Sequence, residues 1–229
     1  MGTMISKRKQ STAEIQKDRV RQILNGLDLS YPKAECALRH NNPLELLIAT
    51  ILSAQCTDSR VNLVTQDLFR KYTSARDYAQ SPQESLEKDI HSTGFYRNKA
   101  KSIRGACAMI LDQFGGQVPD TMEELLQLPG VARKTANVVL GVAFGKAEGI
   151  VVDTHVFRVS RRLDLSDSET PENIEQDLMK VIPRSRWITF SHQMILHGRA
   201  VCKARNPLCS SCSIEKVCES EEKTIPKDK

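Results

Sequence analysis

The sequence lacks long hydrophobic runs: none of the apolar stretches in its 229 residues approaches the roughly 18 that a membrane-spanning helix requires. Its beginning, MGTMISKRKQST, has no apolar segment of the kind that marks a secretory signal, and reads as a short, disordered basic arm. Internal repeats and low-complexity segments are missing too. Strand-like patterning is nearly absent, since Gly149–Val152 alone reads as a strand and is too short to build a sheet. Excess charge is small, with 33 basic and 28 acidic residues giving +5, which permits a polyanionic partner without demanding one. Evenly paired cysteines are also lacking. Of the seven, Cys36, Cys56 and Cys107 are isolated, whereas Cys202, Cys209, Cys212 and Cys218 crowd into 17 residues. That distribution argues against a disulfide framework and for metal binding in a reducing cytosol.

What is present is helical periodicity. Val20, Ile23, Leu24 and Leu27 form one face; Ile103, Cys107, Ile110, Leu111 and Phe114 form another. Leu44 to Leu52 is apolar nearly all round, as expected of a helix buried on most sides. Ser81-Pro82-Gln83-Glu84 reads as a capping box, Asp120-Thr121-Met122-Glu123 as an Asp variant of it, and Thr170-Pro171 as another helix start. About ten helices with short connections make an all-α chain. A boundary is expected near Lys146–Gly149, and the charged tail after Cys218, ESEEKTIPKDK, reads as frayed.

Three local patterns carry chemistry. The first is LPGVARKTANVV, residues 128–139, where Leu128-Pro129-Gly130-Val131-Ala132 is a tight turn between two helices. Such a hairpin exposes the unpaired N–H groups of its second helix, which suit a phosphate oxygen; an ordinary helical corner has the same spacing. Lys134 sits in that first turn beside Arg133, where the positive helix end and partial desolvation favour a neutral, nucleophilic amine. A solvated lysine reaching a phosphate accounts for it equally. The second pattern is GIVVDTHVFRVSRRL. Val152, Val156, Val159 and Leu163 share a face, so Asp153 or Thr154 caps the helix. Asp153 can besides stabilise a cationic transition state or position a water, and His155 reads as a hydrogen-bonding or packing residue rather than a general base. The third is Cys202-x6-Cys209-x2-Cys212-x5-Cys218, four thiolates able to surround either zinc or a four-iron cluster.

LPGVARKTANVVLGVAFG followed by VDTHVFRV resembles the helix–hairpin–helix, Gly/Pro-rich loop and aspartate of DNA glycosylases, specifically the endonuclease III family. The cysteine spacing resembles that family's [4Fe-4S] loop at all four positions. The resemblance runs from about Asn42 to Cys218. It implies two helical domains: a six-helix barrel over residues 36–146 that ends in the hairpin, and a second domain of residues 1–35 and 147–229 that holds the cluster on Cys202, Cys209, Cys212 and Cys218. The implied activity is that of a bifunctional DNA N-glycosylase and abasic-site lyase of base excision repair, acting on oxidised pyrimidines in damaged double-stranded DNA. Lys134 would attack the sugar C1′, and Asp153, across a groove, would assist. The resemblance further implies a cytoplasmic, nucleoid-associated, bacterial-type enzyme, expected to be a monomer.

The same resemblance marks the residues that touch DNA. Gly130, Ala132 and Arg133 belong to the hairpin, His155 follows the aspartate, and Lys203 and Arg205 lie in the cysteine loop. Gln55, in Leu52-Ser53-Ala54-Gln55-Cys56-Thr57-Asp58, matches a glutamine that enters the duplex. Phe95, in Thr93-Gly94-Phe95-Tyr96-Arg97-Asn98-Lys99-Ala100, stands where leucine is common and would stack on an exposed base pair. Without the resemblance, Gln55 reads as a polar residue at a helix end and Phe95 as core. One departure is visible: Ala132 replaces the hairpin's usual second glycine, and because alanine resists φ > 0 the loop is expected to differ slightly. Two rival readings are weaker. Adenine-mismatch glycosylases typically lack the lysine, and a non-catalytic DNA-binding module leaves Lys134 paired with Asp153 unexplained.

Overall fold

The computed structural model describes residues 2–224, with side chains from Glu14 onward. Every regular element among them is helical, in eleven α-helices and four short 3-10 turns, with no strand. The chain divides into two compact units, Met1–Glu35 with Gly149–Lys229, and Cys36–Glu148. Among the described residues no helix is long and apolar enough to cross a membrane.

Helix α1 (Gly2–Ser30) opens the first unit. The start of the chain, expected to be a disordered arm, is therefore helical from Gly2. Between Gly2 and Gly26 no glycine or proline interrupts a run rich in lysine, arginine and glutamine, all good helix formers.

The unit of residues 36–148 contains α2 (Pro43–Leu52), α3 (Asp58–Lys71), α4 (Ala75–Gln80), α5 (Gln83–Ile90), α6 (Tyr96–Gln113), the single turn α7 (Met122–Leu125) and α8 (Arg133–Phe144). Its centre is α2, on which every residue from Leu46 to Leu52 is buried. Onto that core α6 lays Ala100, Ile103, Cys107 and Ile110, and α8 lays Ala136, Val139 and Leu140; Leu111 and Phe114 pack half-buried at its edge. Each fully buried aliphatic side chain contributes about 1.5–3 kcal/mol, so the anticipated apolar faces account for most of what holds the helices together.

Two helix starts differ from expectation. Ser81 does not cap α5; it is buried, and its hydroxyl donates to the Tyr78 carbonyl at the end of α4, leaving Pro82 at the cap position with no side-chain bond. Asp120 does not cap α7 either. Thr121 does, accepting from the Glu124 N–H at 3.3 Å, while Asp120 pairs with Lys146 at 2.6 Å. In both places another partner, the preceding helix for Ser81 and the distant Lys146 for Asp120, claimed the polar side chain before the following helix could use it.

The other unit adds α9 (Thr154–Arg162), α10 (Pro171–Val181) and α11 (Trp187–Ala200) to α1. Thr170 caps α10 with Pro171 in its first turn, as the sequence indicates. Val20, Ile23, Leu24 and Leu27 of α1 are buried as a face. Gly26 completes it: a Cβ there would lie 2.4 Å from Ile214 Cγ2, so the cysteine loop rests directly on the α1 backbone. Gly149–Val152 is not a strand. It finds no partner strand, and its Val151 N–H donates instead to Ser191 Oγ of α11. Nor is the tail frayed as far as Thr224, because Lys223 bonds Glu215 and Thr224 bonds the Pro207 carbonyl; residues 225–229 lie outside the described residues.

Candidate functional site

The hairpin Leu128–Ala132 joins α7 to α8 in the unit of residues 36–148. Gly130 has φ +80°, and a Cβ on it would meet Ser102 Cβ at 2.6 Å. Two independent constraints, a left-handed backbone and a close approach to α6, therefore require glycine. Pro129 fits against Gly105 of the same helix. Ala132 is extended, φ −94° and ψ 170°, so alanine's resistance to a positive φ puts no strain on this position. As the N-cap residue it offers no side-chain acceptor, and the first turn of α8 is left uncapped. Arg133 is half-buried. Lys134 is exposed rather than partly desolvated, because side chains lean toward the helix N-terminus and one in the first turn projects beyond it.

Two loops in the same unit carry Gln55 and Phe95. Both residues are exposed, Phe95 at 62%, and both have left-handed backbones, φ 53° and 47°. Phe95 is thus not core, and Gln55 is an exposed polar residue three positions past the end of α2. A bulky side chain in this region costs of order 1–3 kcal/mol, a strain that persists only where surrounding structure imposes it. Gly94, φ 72°, precedes Phe95 and lets the chain turn out of the 3-10 turn His91–Thr93.

In the other unit Asp153 caps α9. Its Oδ1 accepts from the N–H groups of His155 and Val156, each at 2.8 Å, and its Oδ2 lies 2.9 Å from His155 Nδ1. The carboxylate is thereby fixed in direction with its neighbour's ring attached. His155 is in turn placed by Gly198 of α11, where a Cβ would come within 2.8 Å of the His155 Cβ.

Cys202, Cys209, Cys212 and Cys218 line one small cavity of about 30 Å³, walled by Val159, Leu163 and Ile214. Among the described residues no three His, Cys, Asp or Glu converge closely enough to hold a single metal ion. Four thiols lining one cavity are the donor set that a zinc ion or an iron–sulfur centre takes. Burial pushes the Cys212 thiol up to about 11 and raises that of Cys218, with the neighbouring sulfurs adding to it. A cationic core would be needed to hold them as thiolates. Lys203 and Arg205 stand exposed on the loop between the first two cysteines.

Several functional residues escaped the sequence reading. Arg162 donates to the carbonyls of Lys203 at 2.6 Å and Ala204 at 3.2 Å, with its Nη1 also 3.5 Å from Cys202 Sγ. Arg158, one helical turn earlier, donates to the carbonyls of Gly198 and Cys202. The i, i+4 spacing of the two arginines on α9 was the available signal, but 40 residues separate Arg162 from Cys202, so it did not point to the cysteines. His197 is buried, and burial pulls its pKa down to about 4, so the ring is neutral; its Nε2 lies 3.7 Å from Cys212 Sγ and its Nδ1 3.3 Å from the Tyr31 hydroxyl. Lys99, 5% exposed, was also overlooked.

Comparison with known proteins agrees with these features. Residues 48–184 match the HhH-GPD superfamily base excision DNA repair proteins. Endonuclease III of Synechocystis sp. is 55% identical over 205 residues, covering 90% of this chain and 94% of that protein. A solved non-covalent complex of endonuclease III with DNA superposes with a TM-score of 0.84 at 49% identity, covering 89% of this chain and 95% of that one. A trapped covalent endonuclease III–DNA intermediate gives the same TM-score and coverage at 50% identity. The chain belongs to the HhH-GPD superfamily of base excision DNA repair proteins and, within it, to the endonuclease III family.

Proposed function

We propose that Lys134 is the nucleophile of this DNA glycosylase and abasic-site lyase, and that the damaged bases it removes are oxidised pyrimidines. That the chain is a base excision repair enzyme with both activities follows from its family. The observation that carries the assignment of Lys134 is its place, exposed in the uncapped first turn of α8 directly after the Gly130 hairpin. The N–H groups of a helix N-terminus suit a phosphate oxygen, and a phosphate there would set the lysine beside the sugar that follows it. DNA closing over the site would exclude water from around the exposed amine, a step that the free protein does not supply.

The neutral amine attacks C1′ as the C1′–N bond breaks, and the base leaves with the bonding pair and is protonated by solvent. The added nitrogen releases one proton, ring opening places a proton on O4′, and an iminium results. Loss of a proton from C2′ then expels the 3′ phosphate, and water frees Lys134. Asp153, held by two N–H groups and His155, supports the cationic sugar as the base departs.

Gln55 and Phe95 would fill the space left by the extruded nucleotide. Gly130, Ala132 and Arg133, with Lys203 and Arg205, would hold the phosphates, and His155 would contact the strand beside Asp153. Cys202, Cys209, Cys212 and Cys218 would bind a [4Fe-4S] cluster, whose contribution when bound is to cross-link the loop that displays Lys203 and Arg205. On this reading residues 36–148 are the hairpin-bearing barrel and the other unit is the cluster domain of a monomeric, cytoplasmic, nucleoid-associated enzyme. The test is borohydride trapping on an abasic-site duplex. Lys134→Gln should bind the duplex as before and give no trapped adduct; undiminished trapping would refute the assignment.

A further inference from the structure

Lys99 is a cation in the core of the unit that carries the hairpin. It belongs to the buried face of α6, one turn before Ile103, and its ammonium donates to two main-chain carbonyls, Leu52 O and Thr93 O, each at 2.8 Å. Neither acceptor is incidental. Leu52 ends α2 and begins the loop to Gln55; Thr93 ends the 3-10 turn just before Gly94 and Phe95. The Lys99 N–H donates besides to the Phe95 carbonyl at 3.1 Å. One residue thus touches the base of both loops.

The backbone explains why these carbonyls are available. The last carbonyls of a helix have no intrahelical donor. At the end of α2 the left-handed turn at Gln55 diverts the Cys56 N–H to Ser53 O at 3.1 Å, one residue past Leu52, so Leu52 O is left for another donor. A buried carbonyl without a partner is costly, and a cation is the strongest donor available to it, favoured again by the partial negative charge at a helix C-terminus. Burial pulls the lysine's pKa down from its usual value, with the Cys56 thiol opposing that shift. Supplying one cation to two loop bases, and keeping it away from water, makes little sense as surface chemistry. It makes sense as a strut.

We propose that Lys99 is a positioning residue for base extrusion: by clamping the Leu52 and Thr93 carbonyls it locks the two left-handed residues, Gln55 and Phe95, into a single rigid wedge. The inference rests on the wedge role given to those two residues above. Left-handed backbones at a glutamine and a phenylalanine relax to ordinary conformations unless something holds both ends of each loop. Lys99 holds one end of each with the same nitrogen, so the two side chains keep a fixed spacing when they enter the duplex together. Neither reacting atoms nor substrate touch it.

The experiment compares single-turnover base release from two duplexes, both containing thymine glycol, an oxidised pyrimidine. In one the damaged base faces adenine; in the other it faces a stable abasic analogue, where no pair must be broken and no partner base is orphaned. A rigid wedge matters only in the first, because extrusion is least costly for an unpaired base. Lys99→Met, similar in length but with no donor, should slow release opposite adenine by about tenfold, the loss expected when a charge-assisted hydrogen bond is withdrawn. Opposite the abasic analogue, its rate should stay within about threefold of the parent's, a barrier change too small to reflect a missing strut. Equal slowing on both duplexes overturns the proposal, since general loosening of the core does not distinguish them. Gln55→Ala and Phe95→Ala run alongside. If they slow release opposite adenine and Lys99→Met does not, Lys99 is no strut; if neither alanine variant slows it, the wedge reading itself fails and takes the proposal with it. Thermal melting reports whether each variant is folded. Should Lys99→Met not fold, Lys99→Gln, which can keep one of the two bonds, is read by the same comparison.

Discussion

His155 Nδ1 lies 2.9 Å from Asp153 Oδ2, on the carboxylate whose other oxygen caps α9. One side chain thus does two jobs, and they can be separated. Asparagine is as good an N-cap as aspartate, whereas alanine loses the cap at about 0.5–2 kcal/mol. Asp153→Asn should therefore melt close to the parent protein yet lose most of its glycosylase rate, because the amide carries no charge to support a cationic sugar. Asp153→Ala should lose both. Base-release kinetics beside thermal melts would show it; an Asp153→Asn variant with full activity would leave the residue only its cap.

Gly130 and position 132 make a paired prediction about the hairpin. Gly130→Ala should destabilise the protein by about 1–3 kcal/mol, since φ +80° penalises any Cβ and this one would press on Ser102 besides. Ala132→Gly, which restores the family's commoner glycine, should instead bring no gain and a loss of about 0.4–1 kcal/mol, because φ −94° suits alanine and glycine only adds freedom to the unfolded chain. Denaturant titration of both variants decides it.

How far the sequence carried these conclusions depended on which force placed a residue. Hydrophobic burial was legible: the α1, α2 and α6 faces were written in the spacing of leucine, isoleucine and valine, and they are buried except at the margins, where Leu44, Leu111 and Phe114 are half-covered. Polar side chains were less so, because several partners, local and distant, compete for each of them. Ser81 and Asp120 carry good capping signals, yet the one turned to Tyr78 and the other to Lys146. Lys99 stood on the buried face of α6 in plain sight, and its charge hid it from any count of apolar residues. The exposure of Phe95 could not be read from its aromatic ring, which reads as core; only the backbone at Gly94 and Phe95 turns it outward. The resemblance supplied roles for Lys134 and Asp153 that spacing alone left open.

The cysteine loop should be the part of the molecule most sensitive to metal. Its four sulfurs surround a small cavity, and its Ile214 is seated on Gly26 of α1. Cys212→Ser should lower iron and sulfide content and the melting temperature together, and the first proteolytic cuts should fall between residues 203 and 217, since ligation rather than core burial holds so short a segment. If iron content fell while the protease pattern stayed unchanged, the cluster would not be what fixes the loop.

Lys203 and Arg205 extend from that loop, and Arg162 holds the loop by the carbonyls of Lys203 and Ala204. If both cations meet phosphates, binding to undamaged duplex should weaken with salt in proportion to the number of contacts. Each phosphate neutralised contributes about 0.9 to the slope of log K against log salt. Lys203→Ala and Arg205→Ala should then each lower the slope by about one, and the double variant by about two. Arg162→Ala makes a sharper case. It removes no exposed cation from the loop, only the contacts with Lys203 O, Ala204 O and Cys202 Sγ and the ion pair with Glu222, so it should weaken binding chiefly by loosening the loop, with the limiting slope kept. A parent protein whose affinity is flat across salt, or a double variant with an unaltered slope, would take the loop out of the DNA contact altogether.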